Sequence, residues 1–391
     1  MLPPDLAGTE DGSLTCFYTS VQRIPVHYDL PYIYGNERLH LAESKDGGQT
    51  WQRHTGNPLL AGPPEKVAVA GWRDPFVFSN KSLDHILGKD SRAGTYGIVA
   101  GGIKGKSPTI FLYSLDPDDI TKWTFISSMI RFGHNFAPYR RWGDFGMNWE
   151  MTNIMTLYDE RRQPFDIVVA SVEGCIVTSE DKIVLDQPVN RARRTGRGQM
   201  WFHGEVLAGR NTSIGMRYVS GGHLDYGAFY AASSFFDPVS QTQIVYGWVL
   251  EEDLPDKFRE QQGWSGLIAF PRKLTMITIE NVEYSSIESL VDVPGFTSKL
   301  DDRGTWAVTT LSITPESRTK LLRGRKIQSD RSLKTTTSLA TEPSIWFSEG
   351  VAHFELEASF SVSSSTTELG LHLFHSPGKP SLPFVFGSFS N

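Results

Sequence analysis

From residue 14 to about residue 280 the chain is a succession of short runs rich in β-branched and aromatic residues, cut by polar turns, and helical periodicity of any length is absent. Leu14–Val21, which reads LTCFYTSV, is typical. Similar runs span Thr95–Ala100, Thr109–Ser114, Trp123–Ile130, Asp166–Ser171, Gly227–Ala232, Gln243–Leu250 and Lys273–Ile279. Such residues suit a pleated, half-buried surface, where a branched or aromatic side chain packs against its cross-strand neighbour. Only Leu254–Gln262 has the pattern for a turn or two of helix. An all-β chain with evenly spaced strands folds as a sandwich, a barrel or a propeller. Composition agrees: 12% of the 391 residues are aromatic, and 36 Gly and 22 Pro favour many turns over long helices.

One local signature leans toward the propeller. Ser44-Lys45-Asp46-Gly47-Gly48-Gln49-Thr50-Trp51 has the form S-x-D-G-G-x-T-W, a hairpin that recurs between blade strands. Asp46 is expected to accept N–H bonds from its own turn, Gly47 and Gly48 to supply the unusual φ values, and Trp51 to pack into the blade. Composition shifts after Pro294. Residues 314–344 are rich in Ser, Thr, Lys and Arg and read as a linker or exposed loops, and alternation returns over Trp346–Phe374, as in His353–Ala358. The expected division is a first domain over 1–295 and, over 296–391, a linker with an incomplete second β domain.

The net charge of −6 and the want of a strongly basic patch disfavour a nucleic-acid partner, which needs clustered Lys and Arg. The one basic cluster, Arg191, Arg193, Arg194 and Arg197, lies in a Gly-rich stretch and reads as a solvated loop. No run of about eighteen apolar residues exists to span a membrane as a helix. Met1–Asp5 carries neither a charged n-region nor an apolar h-region, which leaves extracellular and cytoplasmic locations both open. Two cysteines, Cys16 and Cys175, are too few for a disulfide framework and read as buried free thiols. Asn80-Lys81-Ser82 and Asn211-Thr212-Ser213 match the glycosylation triplet, which arises easily by chance. No His/Cys/Asp cluster has metal-ligand spacing, no cofactor is expected, and the oligomeric state leaves no signal.

Four segments carry candidate chemistry. In Gly71-Trp72-Arg73-Asp74-Pro75-Phe76-Val77-Phe78 a charged pair stands just before an expected buried strand; a bare R-D-P is equally an ion pair at a strand-start turn. In Met147–Ile154 one carboxylate, Glu150, sits among apolar neighbours. Desolvation there would raise its pKa, as a general acid working near neutrality requires, although an edge-strand Glu facing solvent has the same pattern. His223–Phe235 is the third segment. The fourth is Ile244–Trp248 with Gly263–Leu267 and Pro271-Arg272. Their aromatic residues and glycines suit sugar stacking, although each taken alone is more often core.

Taken in this order the segments resemble glycoside hydrolase family 32, the invertases, inulinases and fructosyltransferases. The pattern shared with the family is R-D-P, a Glu motif, D-Y-G-x-F-Y-A-x-x-S-F as it stands here, I-x-x-G-W, then G-W-x-G-x-x-x-x-P-R, and the likeness covers roughly residues 10–280. The opening D-G-S-L-T-C-F-Y-T-S-V and L-P-Y-I-Y-G also resemble fungal fructosyltransferases. The resemblance implies a five-bladed propeller with its site in the central funnel, followed by a β-sandwich. It implies Glu150 as general acid/base and Asp74 as transition-state stabiliser. Arg73, Trp72, Trp149, Asp225 and Tyr226 are the implied sugar-binding residues. The implied substrates are sucrose or fructo-oligosaccharides, hydrolysed or transferred by a retaining double displacement. The sequence departs from the family in two places. The N-terminal W-M-N-D-P-x-G motif that carries the nucleophile is absent, and Asp5, Glu10 and Asp11 have none of its surroundings; Glu150 also lacks the commonest following Cys-Pro. The expectation is a truncated product with the first blade largely missing and little or no activity. The alternative is a non-catalytic fructan-binding propeller. A sialidase or family 43 propeller is disfavoured, since only one good S-x-D-G-G-x-T-W box occurs.

Overall fold

A computed structural model of the chain describes residues 12–89, 93–138, 143–175, 196–209, 213–252, 255–282, 295–300, 304–322, 368–372 and 383–388. The first sheet holds β1 (Leu14–Val21), β2 (Glu37–Ser44) and β3 (Gln52–Arg53). The second holds β4 (Val69–Phe78), β5 (Tyr96–Ile103), β6 (Ser107–Asp116) and β7 (Asp119–Ser128), and the third holds β8 (Asn148–Tyr158), β9 (Pro164–Cys175), β10 (Gly196–Ala208) and β11 (Ile214–Asp225). The fourth contains β12 (Phe229–Asp237), β13 (Thr242–Val249), β14 (Leu267–Ile268), β15 (Arg272–Val282), β16 (Phe296–Leu300) and β17 (Trp306–Pro315), in the spatial order β12-β13-β15-β17-β16 with β14 on β13. Two short helices, α1 (Lys81–Ile86) and α2 (Asp256–Gln262), interrupt them; α2 falls where the sequence left room for a helix.

Each of the first three sheets is an antiparallel meander in sequence order. Their leading strands meet side by side, β1 with β4, β4 with β8 and β8 with β12. Among the described residues the sheets do not close into a ring. The central strands explain why the pattern alternates so little. In β9, Val168 and Ala170 face the core shared with the second sheet while Ile167 and Val169 face the core shared with the fourth. In β5, Tyr96 and Ile98 face the third sheet and Val99 faces the first. A strand between two sheets is apolar on both faces because successive side chains point opposite ways. Each such Val, Ile or Phe contributes about 1.5–3 kcal/mol of burial.

The chain forms two units, Met1–Arg325 and Lys326–Asn391. Strands β16 and β17 lie past residue 295 and pair within the fourth sheet, and a short 3-10 turn at Ser317–Leu322 follows them. In the second unit, β18 (Glu368–His372) pairs antiparallel with β19 (Pro383–Ser388). The rest of the expected linker and of Trp346–Phe374 lies outside the described residues, as do Asp5, Glu10, Asp11, Arg191, Arg193, Arg194 and Asn211. No described helix is long and apolar enough to cross a membrane.

Several local expectations are corrected. The S-x-D-G-G-x-T-W turn joins β2 to β3, and Asp46 accepts from the Thr50 N–H (2.9 Å) and hydroxyl (2.6 Å) as its chemistry demands. Trp51, however, is exposed rather than packed into the blade, its indole N–H spent on the Gly48 carbonyl (3.1 Å). Cys16 is exposed, and Cys175 is partly covered; both are free thiols. Asn80 is buried as the N-cap of α1, accepting from Leu83 N–H and donating to Asp166 (2.7 Å), so its triplet has no free amide to modify. Arg73 and Asp74 do not precede a strand but lie in the middle of β4.

Candidate active site

The site is built from three strand irregularities. The ladder of β4 on β5 slips between Arg73 and Pro75, that of β8 on β9 between Glu150 and Asn153, and that of β12 on β13 between Tyr230 and Ser233. Inside each slip one non-glycine residue takes a left-handed φ: Asp74 (60°), Met151 (37°) and Ala231 (51°). Such residues cost on the order of 1–3 kcal/mol each and persist where surrounding bonds over-determine them. A bulge re-aims the adjacent side chain out of the pleat. Here three leading strands carry one each, beside Arg73, Glu150 and Tyr230. The interlock runs between sheets. Asp74 N–H donates to the Thr19 hydroxyl of β1 (2.8 Å), and an Asp74 carboxylate oxygen accepts from Met151 N–H of β8 (3.1 Å).

Arg73, buried at 7% exposure, is the hub. Its Nε and Nη2 donate to Glu150 Oε1 (2.8 and 2.6 Å), its Nη1 to Glu37 Oε1 (3.0 Å), and its Nη2 also to Glu173 Oε2 (3.2 Å). The other Glu37 oxygen accepts Trp72 N–H (2.9 Å). Tyr230 donates its hydroxyl to Glu150 Oε2 (2.8 Å), and Asn148 donates to Glu173 (3.1 Å). Arg197 bonds Glu173 (3.2 Å), pairs with Glu252, and lies 5.5 Å over the Tyr230 ring.

Two guanidiniums, Arg73 and Arg197, face four carboxylates, Glu37, Glu150, Glu173 and Glu252, which leaves negative charge uncompensated, and the protonation tendencies divide accordingly. Burial works against the charge of Glu150, but the Arg73 guanidinium outweighs it and holds this carboxyl below its ordinary value. Burial wins at Glu37 despite Arg73, and at Glu173, where the Glu150 charge adds to it; both are pushed up. Burial and then the neighbouring Glu150 charge push Asp74 to about 6. The Glu150 expectation is therefore reversed. Apolar neighbours do disfavour its charge, but the sequence did not disclose that Arg73 would reach it from another strand. Asp74, like Glu37 and Glu173, is pushed toward keeping its proton, and Glu150 is not.

Of the other expected sugar-binding residues, Trp72 and Trp149 are enclosed core. Trp72 bonds the Tyr113 hydroxyl (3.2 Å) and Trp149 the Phe145 carbonyl (2.8 Å), and neither offers a free face. Asp225 ends β11 in an ion pair with Arg272 (2.6 Å), whose guanidinium lies 4.4 Å over Phe229. Tyr226 is exposed beside His223 (4.9 Å). Residues that sequence reasoning missed are Glu37, Glu173, Tyr230 and Arg197, the last expected in a solvated loop but ion-paired in the site. A signal existed for two of them. Glu37 falls on the alternation of Leu39 and Leu41 in its strand, and Glu173 follows Ile167–Val172, which is apolar except for Ser171; a carboxylate on such a buried face needs a partner.

The description "Glycosyl hydrolases family 32 N-terminal domain" matches residues 7–287. A rice (Oryza sativa subsp. indica) protein named beta-fructofuranosidase, insoluble isoenzyme 3, is 49% identical over 234 residues, which is 57% of this chain and 34% of that protein. Wheat (Triticum aestivum) fructan 1-exohydrolase w3 is 25% identical over 278 residues, 70% of this chain and 41% of its own. The chain thus spans less than half the length of these curated relatives. Among solved structures, fructosyltransferase from A. japonicus superposes with a TM-score of 0.67 at 26% identity, covering 78% of this chain and 54% of that one. Aspergillus kawachii beta-fructofuranosidase complexed with glycerol does so with the same score and identity, over 78% and 52%. With the family description covering most of its length and all five motif segments in order, the chain belongs to glycosyl hydrolase family 32.

Proposed function

We propose that this chain carries the acid/base and stabilising half of a fructosyl-handling site for sucrose or fructo-oligosaccharides, with Glu150 as acid/base and Asp74 as stabiliser. The observation that carries the reading is the convergence of the two carboxylates across β4 and β8. They are linked through Arg73 and Met151 N–H, in a family whose named relatives act on fructosyl bonds. A five-bladed propeller followed by a β-sandwich is the organisation proposed for the family fold, with the propeller part running past residue 295 to take in β16 and β17. A retaining double displacement needs a carboxylate nucleophile besides an acid/base. In the arrangement described, Glu150 is ionised and suited to the base step. For the acid step it must first take up a proton, with Arg73 turned toward Glu37 and Glu173. Release of fructose from sucrose and 1-kestose is the measurement. Robust turnover abolished by Glu150→Gln would sink the low-activity expectation; turnover untouched by Glu150→Gln would sink the acid/base assignment.

A second reading is a non-catalytic fructan-binding propeller. Calorimetric titration with fructo-oligosaccharide separates the two: saturable binding without turnover favours the binder, and neither signal favours an inert fragment.

A further inference from the structure

Gln199 takes no part in the constellation above, yet it is fully buried and aimed at the strand that carries Tyr230. It stands on β10 opposite Ser171 of β9, which stands opposite Glu150 of β8. Its amide oxygen accepts two hydrogen bonds, from the Ser171 hydroxyl (2.9 Å) and from the Ala232 backbone N–H of β12 (3.2 Å). The amide orientation follows from the chemistry, since only the oxygen can accept from a backbone N–H.

Ala232 directly follows Ala231, the left-handed residue inside the slip between Tyr230 and Ser233. A bulge takes a residue out of the ladder, so its N–H loses a cross-strand acceptor, and a buried N–H is costly to leave unpaired. Gln199 supplies that acceptor. On the other side of the bulge, Asn153 of β8 donates to the Ala232 carbonyl (2.8 Å) and accepts from Ser234 N–H (2.8 Å). The irregular backbone of β12 is therefore held by amide side chains of the third sheet, and the residue at its mouth, Tyr230, has its hydroxyl 2.8 Å from Glu150.

We propose that Gln199 is a positioning residue for Glu150: by bonding Ala232 N–H it holds the β12 bulge in the shape that aims the Tyr230 hydroxyl at the carboxylate. The proposal rests on the reading of Glu150 as the acid/base, but its test does not need turnover. A hydroxyl donor on a carboxylate favours the ionised form, and Tyr230 acts on Glu150 in that direction. Loosening the bulge raises the pH at which Glu150 takes up a proton.

The experiment follows the Glu150 side-chain carboxyl by carbon NMR in the full chain labelled at glutamate, the resonance assigned by its loss in Glu150→Gln. Gln199→Met keeps the side chain's length and removes the acceptor. The titration midpoint of Glu150 is expected to move up in Gln199→Met and in Tyr230→Phe, and the double variant to move no further than Tyr230→Phe alone. An unmoved midpoint in Gln199→Met, or shifts that add in the double variant, overturns the proposal. Should Gln199→Met fail to fold, Ser171→Ala removes the other bond to the same oxygen, and a smaller upward shift is expected; no shift overturns it equally. Turnover untouched by Glu150→Gln, with these shifts still present, leaves the positioning role standing while refuting the acid/base reading.

Discussion

Asp74→Asn tests how the site sets its own protonation. Burial and the Glu150 charge lift Asp74 from an ordinary 3.8 to about 6. An acid whose folded pKa is raised binds its proton more tightly in the folded chain than in the unfolded one. Folding stability therefore falls as pH rises from the unfolded value through the folded value. The window is 3.8 to about 6, and at 1.36 kcal/mol per pH unit it corresponds to ~3 kcal/mol. Above it the unsubstituted chain bears the whole cost of a buried charge, and below it none. Asparagine keeps the shape and an oxygen for Met151 N–H but cannot ionise. Asp74→Asn is expected to match the parent chain near pH 4, with its advantage growing to as much as ~3 kcal/mol above pH 7. The raised carboxyls of Glu37 and Glu173 act in both proteins and largely cancel in the difference. Urea unfolding of both chains at several pH values measures it. A difference independent of pH, or an Asp74→Asn chain less stable than its parent above pH 7, would refute the reasoning. Stabilisation together with loss of any sugar affinity is the trade-off expected where a strained, charged group serves function.

Other expectations follow from the same geometry. Arg73→Met leaves Glu37, Glu150 and Glu173 without their shared guanidinium and should destabilise by about 3–5 kcal/mol at neutral pH. Because Arg73 holds Glu150 below its ordinary 4.5, that part of the loss fades as pH falls below this value, read as a narrowing gap in melting temperature between neutral and acid pH. Asn80→Ala removes the cap of α1 and should cost about 0.5–2 kcal/mol, measured by chemical unfolding. Mass spectrometry of the chain made in a glycosylating host should find Asn80 unmodified. Gly101→Ala places a methyl 2.0 Å from the Gly71 carbonyl oxygen, where backbone cannot yield. A loss of about 1–3 kcal/mol is expected, whereas Gly105→Ala meets nothing within 4 Å and tests only its positive φ.

Much of the architecture was legible in the sequence because strand signals are local. A β-branched or aromatic run reads the same wherever its partner lies, so Leu14–Val21 emerged as a strand with its bounds intact and Lys273–Ile279 lay inside a longer one. Asp46 and its glycines were legible for the same reason, since every bond of that turn falls within a few residues. The R-D-P and Glu segments also announced which carboxylates to watch. What the sequence by itself determined, then, is an all-β chain of this family with Asp74 and Glu150 as the carboxylates proposed for its site. Only the tertiary structure decided which group carries the proton. A pKa depends on charges within a few ångströms, and Arg73, Glu37, Glu173 and Tyr230 come together from strands up to 193 positions apart in a chain read one residue at a time. The same reason buries Trp72 and Trp149, whose aromatic rings looked like sugar platforms until neighbouring sheets closed over them. Local chemistry names the candidates; the sheet-on-sheet packing assigns their charges and their partners.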